Sequence, residues 1–128
     1  MKIHNREALK KLSFIDFNVL NVNIDKKIKE ITFRLDGALH LINGIKEELG
    51  EGYLKIINYA EIEITSYNAR NKSKTQQAED NYENLNQLCE IDLNDDLVNI
   101  KGFAEQTYNW LEFKISGGEL IGEFKDKN

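Results

Sequence analysis

Proline is absent from this chain, and it holds only one cysteine and two histidines. Without proline, one common device for blunting the exposed edge of a β-sheet is missing. Cys89 has no partner for an internal disulfide. His4 and His40 belong to no His-x-x-x-His or His-Glu-x-x-His spacing and Cys89 has no Cys partner, so a zinc site of the usual kind is unsupported. There is no apolar run of about 18 residues to form a membrane span. The start, Met1-Lys2-Ile3-His4-Asn5, has no apolar stretch of the signal-peptide type. A cytoplasmic protein is expected. Also missing are a Gly-x-Ser-x-Gly elbow, a Walker loop and a Gly-x-Gly-x-x-Gly turn. Cys89 follows Leu88 on an apolar stripe, which suits a buried small hydrophobe better than a nucleophile. We expect neither a catalytic centre nor a cofactor or metal.

What is present fits a single domain over residues 1–128. The 41% of hydrophobic residues can build a core, while the 30% that are charged keep the surface wet. The net charge is −5. That argues against nucleic-acid binding, which needs a basic surface to displace counterions from phosphate.

Hydrophobic periodicity suggests the organisation. Asn5 can cap a short helix that places Leu9 and Leu12 on one face. From Asn18 the period is two: Leu20, Val22 and Ile24, then Ile31, Phe33 and Leu35 after a polar turn, which reads as a β-hairpin. Leu39, Ile42, Ile45 and Leu49, closed by Gly50, have helical spacing that favours a helix over 37–50, while Gly44 in the middle and the alternation Leu39-His40-Leu41 leave a strand open. Tyr53 to Tyr67 reads as strand with a bulge or break near Asn58-Tyr59-Ala60. Asn68 to Thr75 reads as an exposed connection. Tyr82, Leu85, Leu88 and Cys89 then predict an amphipathic helix, and Ile91 and Leu93 a following strand. Leu111, Phe113 and Ile115, the turn Ser116-Gly117-Gly118, and Leu120 and Phe124 predict a closing hairpin. The expected fold is α+β: mainly antiparallel sheet built from hairpins, with two or three short helices.

Charge is distributed unevenly. Residues 75–100 contain no lysine or arginine but seven acids: Glu79, Asp80, Glu83, Glu90, Asp92, Asp95 and Asp96. On the predicted helix Glu79 and Glu83 share a face and repel each other, with Asp80 beside them. One reading is a solvated face that serves solubility. The other is a docking surface for a basic partner, where concentrated negative potential speeds encounter. Tyr82 and Trp110 are candidate aromatic anchors, with Tyr108 and Asn109 nearby; Trp110 and Tyr108 would equally serve to cover a sheet face. The pairs Glu61/Glu63 and Asp95/Asp96 are the residues a carboxylate-dependent hydrolase would use.

Several stretches together resemble a known group. They are Phe17…Val19…Val22-x-Ile24-Asp25, Lys29-x-Ile31-x-Phe33-x-Leu35-Asp36-Gly37-Ala38, Tyr59-x-x-Ile62-x-Ile64, and Gly102-Phe103…Trp110-x-x-Phe113-x-Ile115…Gly122-x-Phe124. They resemble small immunity-type proteins of bacterial polymorphic-toxin and contact-dependent inhibition systems. The resemblance implies a non-catalytic inhibitor that binds the toxin domain of a sibling effector in the cytosol. Many such toxins are nucleases with basic substrate surfaces, which an acidic inhibitor complements. Such a protein is a monomer or weak homo-oligomer when free. The alternatives are a self-assembling module that uses an exposed sheet edge, and a small hydrolase built on the carboxylates named above.

Overall fold

The computed structural model describes residues 2–14, 17–94 and 96–126. In chain order the elements are β1 (Lys2–Asn5), α1 (Arg6–Leu9), β2 (Leu12–Ser13), β3 (Val19–Asp25), β4 (Glu30–Leu35), β5 (Ala38–Ile42) and β6 (Ile45–Ile57). They continue as β7 (Glu61–Asn68), β8 (Ser73–Gln77), β9 (Leu85–Leu93), β10 (Leu97–Ala104), β11 (Trp110–Ser116) and β12 (Glu119–Asp126). A first sheet has the order β1-β12-β6-β4-β3, with β5 also on β6 and β2 on β5. A second sheet has the order β8-β7-β11-β10-β9. Every strand pair is antiparallel.

The antiparallel sheet is as expected; the two or three helices are not. Among the described residues the only helix is the single turn α1. The segment expected to be helical over 37–50 is the hairpin of β5 with the start of β6. Asn43 and Gly44 lie between them with φ of 50° and 78°, the left-handed pair that a two-residue hairpin turn requires. Ile42 faces Ile45 across that turn, and Gly50 is an interior residue of β6 rather than a cap.

The second expected helix, around Tyr82 to Cys89, fails for a different reason. Leu85 and Leu88 are both buried three residues apart. The β9–β10 ladder slips twice, at Lys101/Gly102 and at Phe103/Ala104, which leaves Cys89 and Asn86 as extra residues on β9. Each bulge reverses the in–out phase of the strand, so a bulged strand imitates helical spacing. The same device acts in β3. The ladder shift between Val19 and Asn21 turns Leu20 outward to 51% exposure and brings Val19 and Val22 inward. The hairpin β3–β4 is otherwise as expected, with Ile31, Phe33 and Leu35 buried.

The break near Asn58-Tyr59-Ala60 is present and larger than a bulge: there the chain leaves the first sheet at Ile57 and enters the second at Glu61. The turn at Ser116-Gly117-Gly118 does the reverse. The expected closing hairpin is therefore corrected, because β11 and β12 belong to different sheets. The two crossings lie side by side, with the Ala60 amide donating to the Ser116 carbonyl at 2.8 Å. Between the sheets, Phe33 of β4 meets Phe113 of β11 edge to face at 5.4 Å. Ile31, Leu54, Ile56 and Leu120 from one sheet and Ile64, Ile100, Leu111 and Ile115 from the other complete the buried layer.

Two glycine substitutions separate backbone strain from steric contact. Gly44 has φ +78° and open space around it, whereas a Cβ on Gly118 (φ +83°) would lie 2.6 Å from the Ile57 carbonyl oxygen. Gly44→Ala is expected to cost about 1–2 kcal/mol, the left-handed penalty alone. Gly118→Ala should cost clearly more, and urea unfolding of both variants checks the order.

Candidate functional site

The acidic window does not form one surface. Its first part, residues 78–84, is a strap that runs from β8 to β9 along the edge strand β3. Lys26, in the turn after β3, pairs with Asp80 at 3.0 Å. The Tyr82 hydroxyl donates to the Val22 carbonyl at 3.0 Å in mid-strand. Farther along, Asn18 bridges to Gln87 and the Leu88 amide donates to the Phe17 carbonyl at 3.2 Å. The strap thus fastens the second sheet to the edge of the first.

Its carboxylates make the fastening. The buried Tyr59 hydroxyl, in the crossing from β6 to β7, donates to Glu79 at 2.6 Å. Burial, and then this bond, push the Tyr59 hydroxyl well above the usual tyrosine range. Glu83 takes a bond from Ser66 of β7 at 2.6 Å, from Gln77 of β8 at 3.1 Å, and from Thr107 and Asn109 in the loop before β11. Burial pushes the Glu83 carboxyl up, but the bonds from Ser66, Thr107, Asn109 and Gln77 outweigh it and hold the group below the ordinary value. Asp80 is held below the carboxylate range by the hydrogen bond and charge of Lys26, although that pair is exposed and worth little. Glu79 and Glu83 therefore do not repel each other on a helix, because no helix is present and each meets donors instead. Tyr82, a candidate anchor, is half-buried, and its ring packs edge to face on Phe113 at 6.3 Å.

The other predicted residues lie on the outer face of the second sheet. Residues in register share that face. One row is Lys74, Tyr67, Trp110, Phe103 and Gln87; the next is Gln76, Thr65, Glu112, Lys101 and Glu90; the third is Glu63, Lys114, Asn99 and Asp92. Glu61, Glu63, Glu90, Asp92 and Asp96 are exposed. Lys101 reaches Glu90 at 3.7 Å and Glu112 at 3.6 Å. Trp110 is half-buried beside Tyr67, and Phe103 packs against it edge to face at 5.2 Å. Tyr108 projects into solvent at 74% exposure. Asp95 lies outside the described residues. Of the hydrolase candidates, Glu61 and Glu63 stand on the same exposed face of β7, and Asp96 sits in the β9–β10 turn. Cys89 occupies a bulge and is half-buried.

Sequence reasoning missed Ser66, Thr107 and Asn109 as partners of Glu83, and the row that joins Tyr67 and Phe103 to Trp110. Nothing in the linear pattern ties these positions together; the folded strap and loop bring the first set to Glu83, and strand register makes the aromatic row.

Among the described residues no three His, Cys, Asp or Glu side chains gather as a metal site, and no helix is long and apolar enough to cross a membrane. Compared with models of known protein families, with curated protein sequences and with solved structures, the chain matches none of them.

The strap makes stability depend on acid. Glu83 has a lowered folded-state pKa, so its contribution is fully present above the unfolded value near ~4.3 and disappears as pH falls through the lower folded value. Asp80 acts with the same sign. Glu83→Ala strands several donors and is expected to cost about 2–3 kcal/mol at neutral pH in urea unfolding. Glu83→Gln should flatten the loss of stability below pH ~4.3 relative to the parent protein.

Proposed function

We propose that the chain is an immunity-type protein, a non-catalytic inhibitor that binds and blocks a cognate bacterial toxin domain with a basic surface, such as a nuclease. The observation that carries this reading is the charge on the outer face of the second sheet. There Glu61, Glu63, Glu90, Asp92, Asp96 and Glu112 outnumber Lys74, Lys101 and Lys114. Once the strap has taken Glu79, Asp80 and Glu83 for its own bonds, the carboxylates of the window left for a partner among the described residues are Glu90, Asp92 and Asp96, along β9 and its turn. A negative field there draws a basic surface into encounter and fixes its orientation. The contact surface proposed from the structure is thus narrower than the whole 79–96 window.

A second reading has its own observation. The edge strand β8 pairs only with β7, is almost wholly exposed and contains no proline, so it could add a strand from another copy of the chain. Light scattering on the purified protein distinguishes the two, since a stable homo-oligomer without toxin favours self-assembly.

Co-expression with the toxin domain encoded immediately upstream should rescue growth and yield a complex by pull-down; failure of both ends the proposal. In that complex Asp92→Lys with Asp96→Lys should slow association about tenfold at low salt, an effect that shrinks as ionic strength rises. Asp80→Asn should leave the association rate unchanged, because Asp80 faces Lys26 rather than the partner.

A further inference from the structure

Beyond toxin binding, the other half of the same sheet face carries a second kind of site. A groove of about 450 Å³ runs across β8, β7 and β11, lined by Tyr67, Trp110, Glu63, Glu112, Lys74 and Lys114. Its size falls within the ~300–1,000 Å³ of small-molecule sites. We propose that this groove binds a neutral saccharide.

The charges decide the class of ligand. The two carboxylates and the two ammoniums balance, in contrast to the acid-rich β9 side, so a ligand of either net charge meets as much repulsion as attraction. Carboxylates only accept hydrogen bonds and ammoniums only donate them. A ligand satisfying both along one short path carries groups that donate and accept; a hydroxyl does both from one atom, whereas an amide or a zwitterion divides the two between separate atoms. Tyr67 and Trp110, neighbours in register, supply apolar ring surface for the C–H face of a pyranose.

The groove is also held in place. Gln76 donates to Glu63 at 3.1 Å and to Thr65 at 3.4 Å, so the carboxylate already has a donor partner in the groove. Glu112 is held from the β10 side by Lys101 at 3.6 Å. Phe103 meets the indole edge to face from that same side, across from Tyr67. Phe103 is a positioning residue and the rings of Tyr67 and Trp110 are the platform.

Trp110 is the only tryptophan in the chain, so its emission reports on the groove directly. A printed array of neutral glycans should give at least one hit, and titrating that oligosaccharide should shift Trp110 emission saturably, with an affinity that barely changes with salt. Tyr67→Ala should weaken binding about tenfold or more, with the unfolding midpoint measured in parallel. Glu112→Gln, which keeps the shape and removes the charge, should weaken it as well. A blank array, a response that vanishes in high salt, or binding unaffected by Tyr67→Ala overturns the proposal, and so does saturation of the groove by an extended peptide in its place. None of these outcomes depends on the toxin, and Asp92→Lys leaves the glycan titration unchanged.

Discussion

The architecture depends on one corner. Two neighbouring strands of the first sheet, β6 and β12, pass into two neighbouring strands of the second, β7 and β11, at adjacent crossings. The Ala60 amide bonds the Ser116 carbonyl at 2.8 Å there, and a Cβ on Gly117 would come within 2.9 Å of Ala60 Cβ. Such close approach of two backbones needs glycine at Gly117 and Gly118, where φ is positive. Because both strands change sheets together, antiparallel pairing continues through the corner, and Phe33 is brought to Phe113 between the sheets. The corner closes only one side.

The opposite side is closed by the strap, which gives the run of acids a structural reason. At the far end of the second sheet Ser66, Gln77, Thr107 and Asn109 all present donors, and one carboxylate can accept from several at once. A lysine at position 83 brings no acceptor, so these hydroxyls and amides would all have to turn their oxygens towards it. Glu79 answers the Tyr59 hydroxyl in the same way, and Asp80 answers Lys26. A charge pattern that reads from the sequence as a single docking field therefore divides, among the described residues, into the fasteners Glu79 and Glu83 with the exposed Asp80–Lys26 pair beside them, and an outward remainder, Glu90, Asp92 and Asp96.

This division was not legible in the sequence, whereas parts of the fold were. The hairpin β3–β4 could be read because Ile31, Phe33 and Leu35 alternate without interruption, and the break at Asn58 because the apolar phase changes there. The segments misread as helices are those where a local device disturbs the period of two. In β9 the bulges at Asn86 and Cys89 space Leu85 and Leu88 three apart. At Asn43-Gly44 the dipeptide itself was the stronger signal, since both residues must take positive φ, and it outweighs the spacing of Leu39, Ile42, Ile45 and Leu49. The corner at Gly117-Gly118 was legible as a turn but not as a change of sheet. Turn chemistry fixes the local φ angles and says nothing about which partner the next strand will find. The row Tyr67, Trp110, Phe103 depends wholly on such pairing.

The outer faces of the two sheets differ in what they leave unspent. On the first, Glu30 pairs with Lys55 at 3.1 Å, Tyr53 donates to Glu123 at 2.8 Å and Arg34 pairs with Glu51, so its charged groups largely answer one another across strands. On the second, Lys101 is shared between Glu90 and Glu112, while Asp92 and Asp96 stand exposed beyond it and the aromatic row stands at the other end. The strap cannot cover this face, because it lies along β3 and ends at β9. In register, the excess of carboxylate lies on the β9 flank of this face and the charge-balanced aromatic groove on the β8–β7–β11 flank. Lys101 marks the boundary: its bond to Glu90 limits the acidic flank, and its bond to Glu112 fixes the edge of the groove.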